Sequence, residues 1–163
     1  MKNMSIKQTI LICAFLLLSI VDAGAEMFKL PAFHQQDSIV RFAESFVGTP
    51  YVYSGNGENG FDCSGFVHFV YKNFGIEVPR ISSAYSGFGE TVTLEDCQKG
   101  DIILFTGTNY NRSSVGHVGI IISDRGEPIR FIHSSSSRKN RGVTITDYHN
   151  SKYPRRYMGI RRP

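Results

Sequence analysis

Apolar residues fall into three regimes along the chain. They run unbroken from Ile10 to Val21, recur at helical spacing between residues 37 and 74, and come in short β-branched or aromatic runs beyond residue 100. In the middle regime Ile39, Phe42, Ala43 and Phe46 share one face of a helix predicted over residues 37–46 and stopped at Gly48. Phe66, Val67, Phe69, Val70 and Phe74 mark a second helix, with Asp62 as its N-cap and Gly75 as its C-terminal stop. A Gly- and Asn-rich loop, residues 54–60, separates the two. Beyond Pro79 and Arg80, residues 102–106, 117–123, 129–133, 143–146 and 157–161 read as five strands. Asp124-Arg125-Gly126 suits a tight hairpin, and 106–116 and 134–142 read as longer polar loops. Helices come first and strands later, without βα alternation. This order predicts an α+β domain with its N-terminal helices packed on a five-stranded antiparallel sheet.

The first regime is not part of that domain. Lys2 and Lys7, the apolar run and Ala23-Gly24-Ala25 read as a signal peptide over residues 1–25, leaving 26–163 as one domain. The run is shorter than the ~20 apolar residues of a spanning helix, so no membrane span is expected in the mature form. Export to the periplasm or cell envelope follows, and Cys13 goes with the leader. Losing Lys2, Lys7 and Asp22 takes the net charge from +4 to +3. That is too mild to predict a nucleic-acid partner, and a monomer is expected. The excess lies in Arg138, Lys139, Arg141, Lys152, Arg155, Arg156, Arg161 and Arg162, with Asp147 among them; it reads as a solvated face or as attraction for an anionic polymer or peptide carboxylates. Export permits a disulfide between Cys63 and Cys97. A domain of this size does not need one, so Cys97 is expected as a small packed residue in a turn.

Cys63 falls in the first turn of the second helix, where unpaired N–H groups and the helix dipole favour thiolate and lower a pKa of about 8.5. A nucleophilic cysteine needs a base, and the base an orienting partner. His68 follows Cys63 by five residues, about 140° around the helix, and points elsewhere. His34 and His149 lie outside the patterned segments. His117 opens one strand and His133 closes the next, so a hairpin between them brings both imidazoles to one end of the sheet. On these residues alone the two histidines read equally as base and orienter or as polar residues at strand ends. A zinc site of Cys63, His117 and His133 lacks closely spaced ligand pairs, so no metal or cofactor is expected.

Tyr51-Val52-Tyr53-Ser54-Gly55, Gly60-Phe61-Asp62-Cys63-Ser64-Gly65-Phe66-Val67, Pro79-Arg80, Gly100-Asp101-Ile102-Ile103-Leu104-Phe105, Gly116-His117-Val118-Gly119-Ile120 and Phe131-Ile132-His133 occur in this order. Together they resemble the NlpC/P60 family of cell-wall cysteine peptidases, and most closely its single-domain murein endopeptidases. The resemblance implies a trimmed papain-like fold and a triad of Cys63, His117 and His133, with Tyr51 beside the nucleophile. It implies hydrolysis of peptide bonds in peptidoglycan stem peptides or crosslinks through a thioester acyl-enzyme. It also places Asp62, Ser64 and Arg80 where a stem peptide would bind, Asp62 serving equally as a plain N-cap. Tyr53, Tyr85 and Phe88 line the cleft or belong to the core. Ser54 departs from the family, standing where the first of two glycines is usual. The alternatives that share these residues are an N-acetylmuramoyl-L-alanine amidase and a non-catalytic wall-binding module.

Overall fold

The computed structural model describes residues 32–108 and 113–163, so the expected leader and residues 109–112 of the long loop lie outside the described residues. Gln36–Pro163 forms one compact unit. Helix α1 spans Ala32–Glu44 and α2 spans Cys63–Lys72; the loop between them carries a ribbon of β1 (Asn56–Gly57) and β2 (Gly60–Phe61). The strands β3 (Glu90–Val92), β4 (Ile102–Thr106), β5 (Val115–Ile121), β6 (Arg130–Ser135), β7 (Gly142–Asp147) and β8 (Tyr157–Arg162) form one sheet in the order β3-β8-β4-β5-β6-β7. Every pairing is antiparallel. The five expected strands are all present, and the sheet gains a sixth. The added strand, β3, is three residues on the edge with Glu90 and Thr91 exposed, too short and too polar to show period-two alternation.

Both faces of the sheet are covered, which explains why Ile102–Phe105 is apolar without a break. Ile102 and Leu104 join α1 and α2 in one core with Ile39, Val40, Phe66, Val67 and Val70. Ile103 and Phe105 point the other way, into a second core with Phe131, Tyr148 and Ile160. Between the helices, Phe42, Phe46, Phe61 and Phe69 pack edge-on or stacked with centroids 5.1–6.1 Å apart. Helix α2 ends at Lys72, and Gly75 takes the left-handed φ of +70° as a stop should. The last strand is fixed by Arg162, whose Nε and Nη2 each donate to the buried Asp101 carboxylate at 2.7 Å. A buried, bidentate pair of this kind is costly to break from one side.

Tyr85, in a 3₁₀ turn at Ser82–Gly87, is fully buried, and its hydroxyl has no hydrogen-bond partner among the described residues. Burying a hydroxyl without a partner costs free energy, so deleting it is favourable. We expect Tyr85→Phe to raise stability by about 1 kcal/mol, read as a melting temperature several degrees higher. A lower melting temperature would contradict the burial argument.

Candidate active site

Asp62 starts α2. Its backbone is extended (φ −82°, ψ 176°), and its Oδ1 accepts from the Gly65 N–H at 2.6 Å, an N-cap contact to the third helical residue. The same carboxylate holds Arg80, with Nη1 at 3.1 Å from Oδ1 and Nη2 at 2.9 Å from Oδ2. Arg80 also donates to Ser64 Oγ at 3.3 Å and to the Ser54 carbonyl at 2.9 Å. Both terminal nitrogens of Arg80 are thus committed to the helix start and the loop beneath it. A substrate carboxylate would have to compete with Asp62 for them. Close approach fixes the motif around Cys63: a Cβ on Gly65 would run into the Gly55 carbonyl oxygen. Ser54 adopts φ +59°, the left-handed region that suits glycine better, where the family usually has one.

Cys63 lies where the sheet opens. The ladder between β5 and β6 consists of Ile120↔Ile132 and Ile121↔Phe131, leaving the start of β5 unpaired on that side. Into this opening comes the chain before α2: Ser134 Oγ donates to the Phe61 carbonyl at 2.7 Å, and Val143 N–H to the Thr49 carbonyl at 2.8 Å. The Cys63 thiol then faces the free edge of β5, with Sγ 4.0 Å from the Gly116 carbonyl oxygen and the Val118 N–H supporting the sulfur. His117 lies between those two residues.

The second imidazole arrives by sheet register. Continuing the β5–β6 pairing by one position sets His133 opposite Gly119, two residues from His117 and on the same face. A Cβ at Gly119 would press on His133 Cβ at 3.1 Å, so glycine there lets the His133 ring lean across the strand. His117 Nε2 and His133 Nδ1 are 2.8 Å apart, with the rings nearly perpendicular. His133 Nε2 is 3.0 Å from Thr146 Oγ1. Tyr153 closes the far side, its ring 5.7 Å from that of His117 and its hydroxyl 3.4 Å from His117 Nε2. Tyr153 was not legible in the sequence, because it sits in a short 3₁₀ turn (Tyr153–Arg156) inside the basic stretch. Arg156 lies over the Tyr153 ring at 5.1 Å and donates to the Thr106 carbonyl.

The electrostatics differ from the expected thiolate. Burial pushes the Cys63 thiol up, and the N–H groups of Val118, Ser64 and Cys63 only partly offset it, while the Asp62 carboxylate adds to the rise. Burial likewise drives His117 well below its ordinary value, helped by His133 and Arg156. His133 falls to about 3, from burial first and then Arg156. A helix start stabilises an anion, but burial disfavours every charged form, and at the half-buried Cys63 the two act against each other. Burial holds both imidazoles towards their neutral form.

The remaining candidates separate cleanly. Tyr51, bridged to Phe61, is near enough to Cys63 and Asp62 that their charges, after burial, raise its phenol, and Arg141 lies 5.8 Å over its ring. Tyr53 is 86% exposed, whereas Tyr85 and the half-buried Phe88 pack edge to face in the core. His68 Nδ1 is 3.0 Å from the Val78 carbonyl oxygen and His149 packs against Tyr148, both structural placements; the His34 side chain lies outside the described residues. Cys97 is buried with Sγ 3.1 Å from the Leu94 carbonyl oxygen, and both described cysteines are free. Among the described residues, no group of three or more His, Cys, Asp or Glu side chains is arranged to hold a metal ion.

A gamma-D-glutamyl-L-lysine dipeptidyl-peptidase of Bacillus cereus is 39% identical over 126 residues, covering 77% of this chain and 36% of that protein. A probable endopeptidase of Corynebacterium glutamicum is 33% identical over 134 residues, covering 82% of this chain and 60% of the relative. The crystal structure of an NlpC/P60 family protein from Bacillus cereus superposes with a TM-score of 0.68 at 38% identity, over 78% of this chain and 39% of that one. The chain therefore spans less than two thirds of each relative's length. The family model described as NlpC/P60 matches residues 48–162, a span that holds Tyr51, Cys63, His117 and His133 together, and the chain belongs to the NlpC/P60 family.

Proposed function

We propose that the protein is an exported cell-wall cysteine peptidase that hydrolyses peptide bonds in peptidoglycan stem peptides or crosslinks. The observation that carries this reading is the imidazole pair, 2.8 Å apart, beside a thiol lodged at a helix start. His117 Nε2 is taken by His133, so Nδ1 is the nitrogen left for the thiol proton. The tautomers then follow in one direction: His117 Nε2–H donates to His133 Nδ1, and His133 Nε2–H donates to Thr146 Oγ1. Since the resting pair is neutral, His117 Nδ1 removes the proton as sulfur attacks the carbonyl carbon. The oxyanion accepts hydrogen bonds from the Cys63 N–H and the Tyr51 hydroxyl. Collapse expels the amine, which takes the proton from His117 and leaves a thioester on Cys63. Water then attacks the thioester with His117 again as base, restoring the thiol and releasing the acid.

Asp62, Ser64 and Arg80 hold the nucleophile's helix in place and border the substrate's polar end, Arg80 acting chiefly as the brace. Tyr153 shields the imidazole pair from water. The leader at residues 1–25 directs export, and the working form is the single domain 26–163, a monomer. Among the described residues, no helix is long and apolar enough to cross a membrane. Digestion of purified muropeptides followed by mass spectrometry tests the reading: each cut adds one water and yields a new carboxylate and a new amine within the peptide. Muropeptides that stay intact, or that lose the whole stem from the muramic acid lactyl group as an amidase would leave them, would remove it.

A further inference from the structure

Beside His133 lies a cavity of about 480 Å³ whose lining includes neither Cys63 nor His117. It is bounded by β6, β7 and the segment leading into the 3₁₀ turn at Tyr153, and its wall includes His133, Thr146 and Tyr153. Three cations, Lys139, Lys152 and Arg156, line it against one carboxylate, Asp147. That carboxylate is already satisfied, accepting from the Asn150 N–H at 3.0 Å and from Asn150 Nδ2 at 2.9 Å. The rest of the lining is mostly hydroxyl and amide groups. A concave, hydroxyl-rich and net cationic wall favours an anion with hydrogen-bonding capacity over an apolar ligand. Three of the six basic residues between positions 138 and 156 line this one concavity.

We propose that this cavity is a second binding site, for a polar ligand bearing an oxyanion, phosphate or carboxylate, distinct from the site at Cys63. Lys139 and Lys152 supply the charge that holds the oxyanion, and Arg156, anchored to the Thr106 carbonyl, adds to it. A ligand there touches Thr146, whose hydroxyl accepts from His133, so occupancy is felt at the imidazole pair. The proposal stands or falls by binding, whatever the outcome of the muropeptide digest. Inorganic phosphate is titrated into the whole, isotopically labelled protein at constant ionic strength, and the amide and histidine ring resonances are followed. Saturable shifts at Thr146, His133 and Tyr153 are expected, with an affinity near the millimolar range for a small ion. Lys139→Gln/Lys152→Gln should weaken it about tenfold, as expected for loss of ~1.4 kcal/mol, at an unchanged melting temperature. Should the double variant melt lower, Lys152→Gln alone, on an exposed side chain, serves in its place. A parallel titration with acetate identifies the source, with tighter phosphate pointing to phosphodiester polymers and tighter acetate to peptide carboxylates. Shifts that saturate with neither ion, or that are equal in the folded lysine variant, would overturn the site.

Discussion

Cys63→Ala and His117→Ala should each abolish peptide hydrolysis, lowering kcat/KM by on the order of 10³-fold or more with the fold retained. In the proposed mechanism the thiol supplies the bond-forming atom and His117 Nδ1 takes its proton, so neither has a substitute among the described residues of the site. His133→Ala should leave a measurable residual rate, because in the proposed mechanism His133 orients the ring of His117 through their 2.8 Å contact and handles no reacting proton. His133→Gln keeps an acceptor for the His117 Nε2–H and should recover part of the loss, which separates orientation from simple packing. Timed release of muropeptide fragments reads all four variants. An undiminished rate in either of the first two would remove the assignment. The neutral resting pair adds a second signature: alkylation of Cys63 by iodoacetamide should rise with pH through a midpoint above the ~8.5 of a free cysteine. A plateau already reached at neutral pH would mean a resting ion pair instead.

Acid should destabilise this domain through the same two imidazoles. In the fold both are neutral, His117 held well below its ordinary value and His133 at about 3; in the unfolded chain they titrate near 6.5. Above pH 6.5 neither state binds the protons, so the contribution of the buried pair is fully present. As pH falls below 6.5 the unfolded chain takes up protons that the fold refuses, and stability drops by ~1.4 kcal/mol per group per pH unit. The loss continues towards pH 3 for His133. Against a total stability of about 5–15 kcal/mol for an ordinary domain, a loss of up to about 4 kcal/mol by pH 5 removes a large share of the margin. Urea midpoints measured at pH 7.5, 6.5, 5.5 and 4.5 check this. Midpoints that stay level below pH 6.5 would show that the imidazoles are not buried as described.

The parts of the molecule written in local pattern were legible before the structure. Asp62 as N-cap, Gly75 as stop and the hairpin at residues 124–126 each depend on neighbours within a few positions, and each appears as expected. The pairing of His117 with His133 was half legible, since the hairpin could be inferred but not the glycine opposite His133 that lets the rings meet. What was missed depends on contacts remote in sequence. Tyr153 and Arg156 reach the site from a basic stretch with no periodicity, and Arg80 turned inward to Asp62 across a separation of 18 residues. The thiolate expectation weighed the helix start correctly but carried no information on burial, which only the assembled β5–β6 opening creates. β3 was invisible because its pairing partners in β8 lie 68–72 residues further along the chain.

The position of β8 has a consequence for how the molecule is made. The strand latest in the sequence is not at the rim; it lies between β3 and β4, and Arg162 reaches the buried Asp101 carboxylate. During synthesis the chain through residue 156 can form its helices and the β4–β7 meander, but β4 keeps one edge bare until Tyr157–Arg162 emerges to fill it. The sheet therefore cannot close until Tyr157–Arg162 is free to fill that place between β3 and β4.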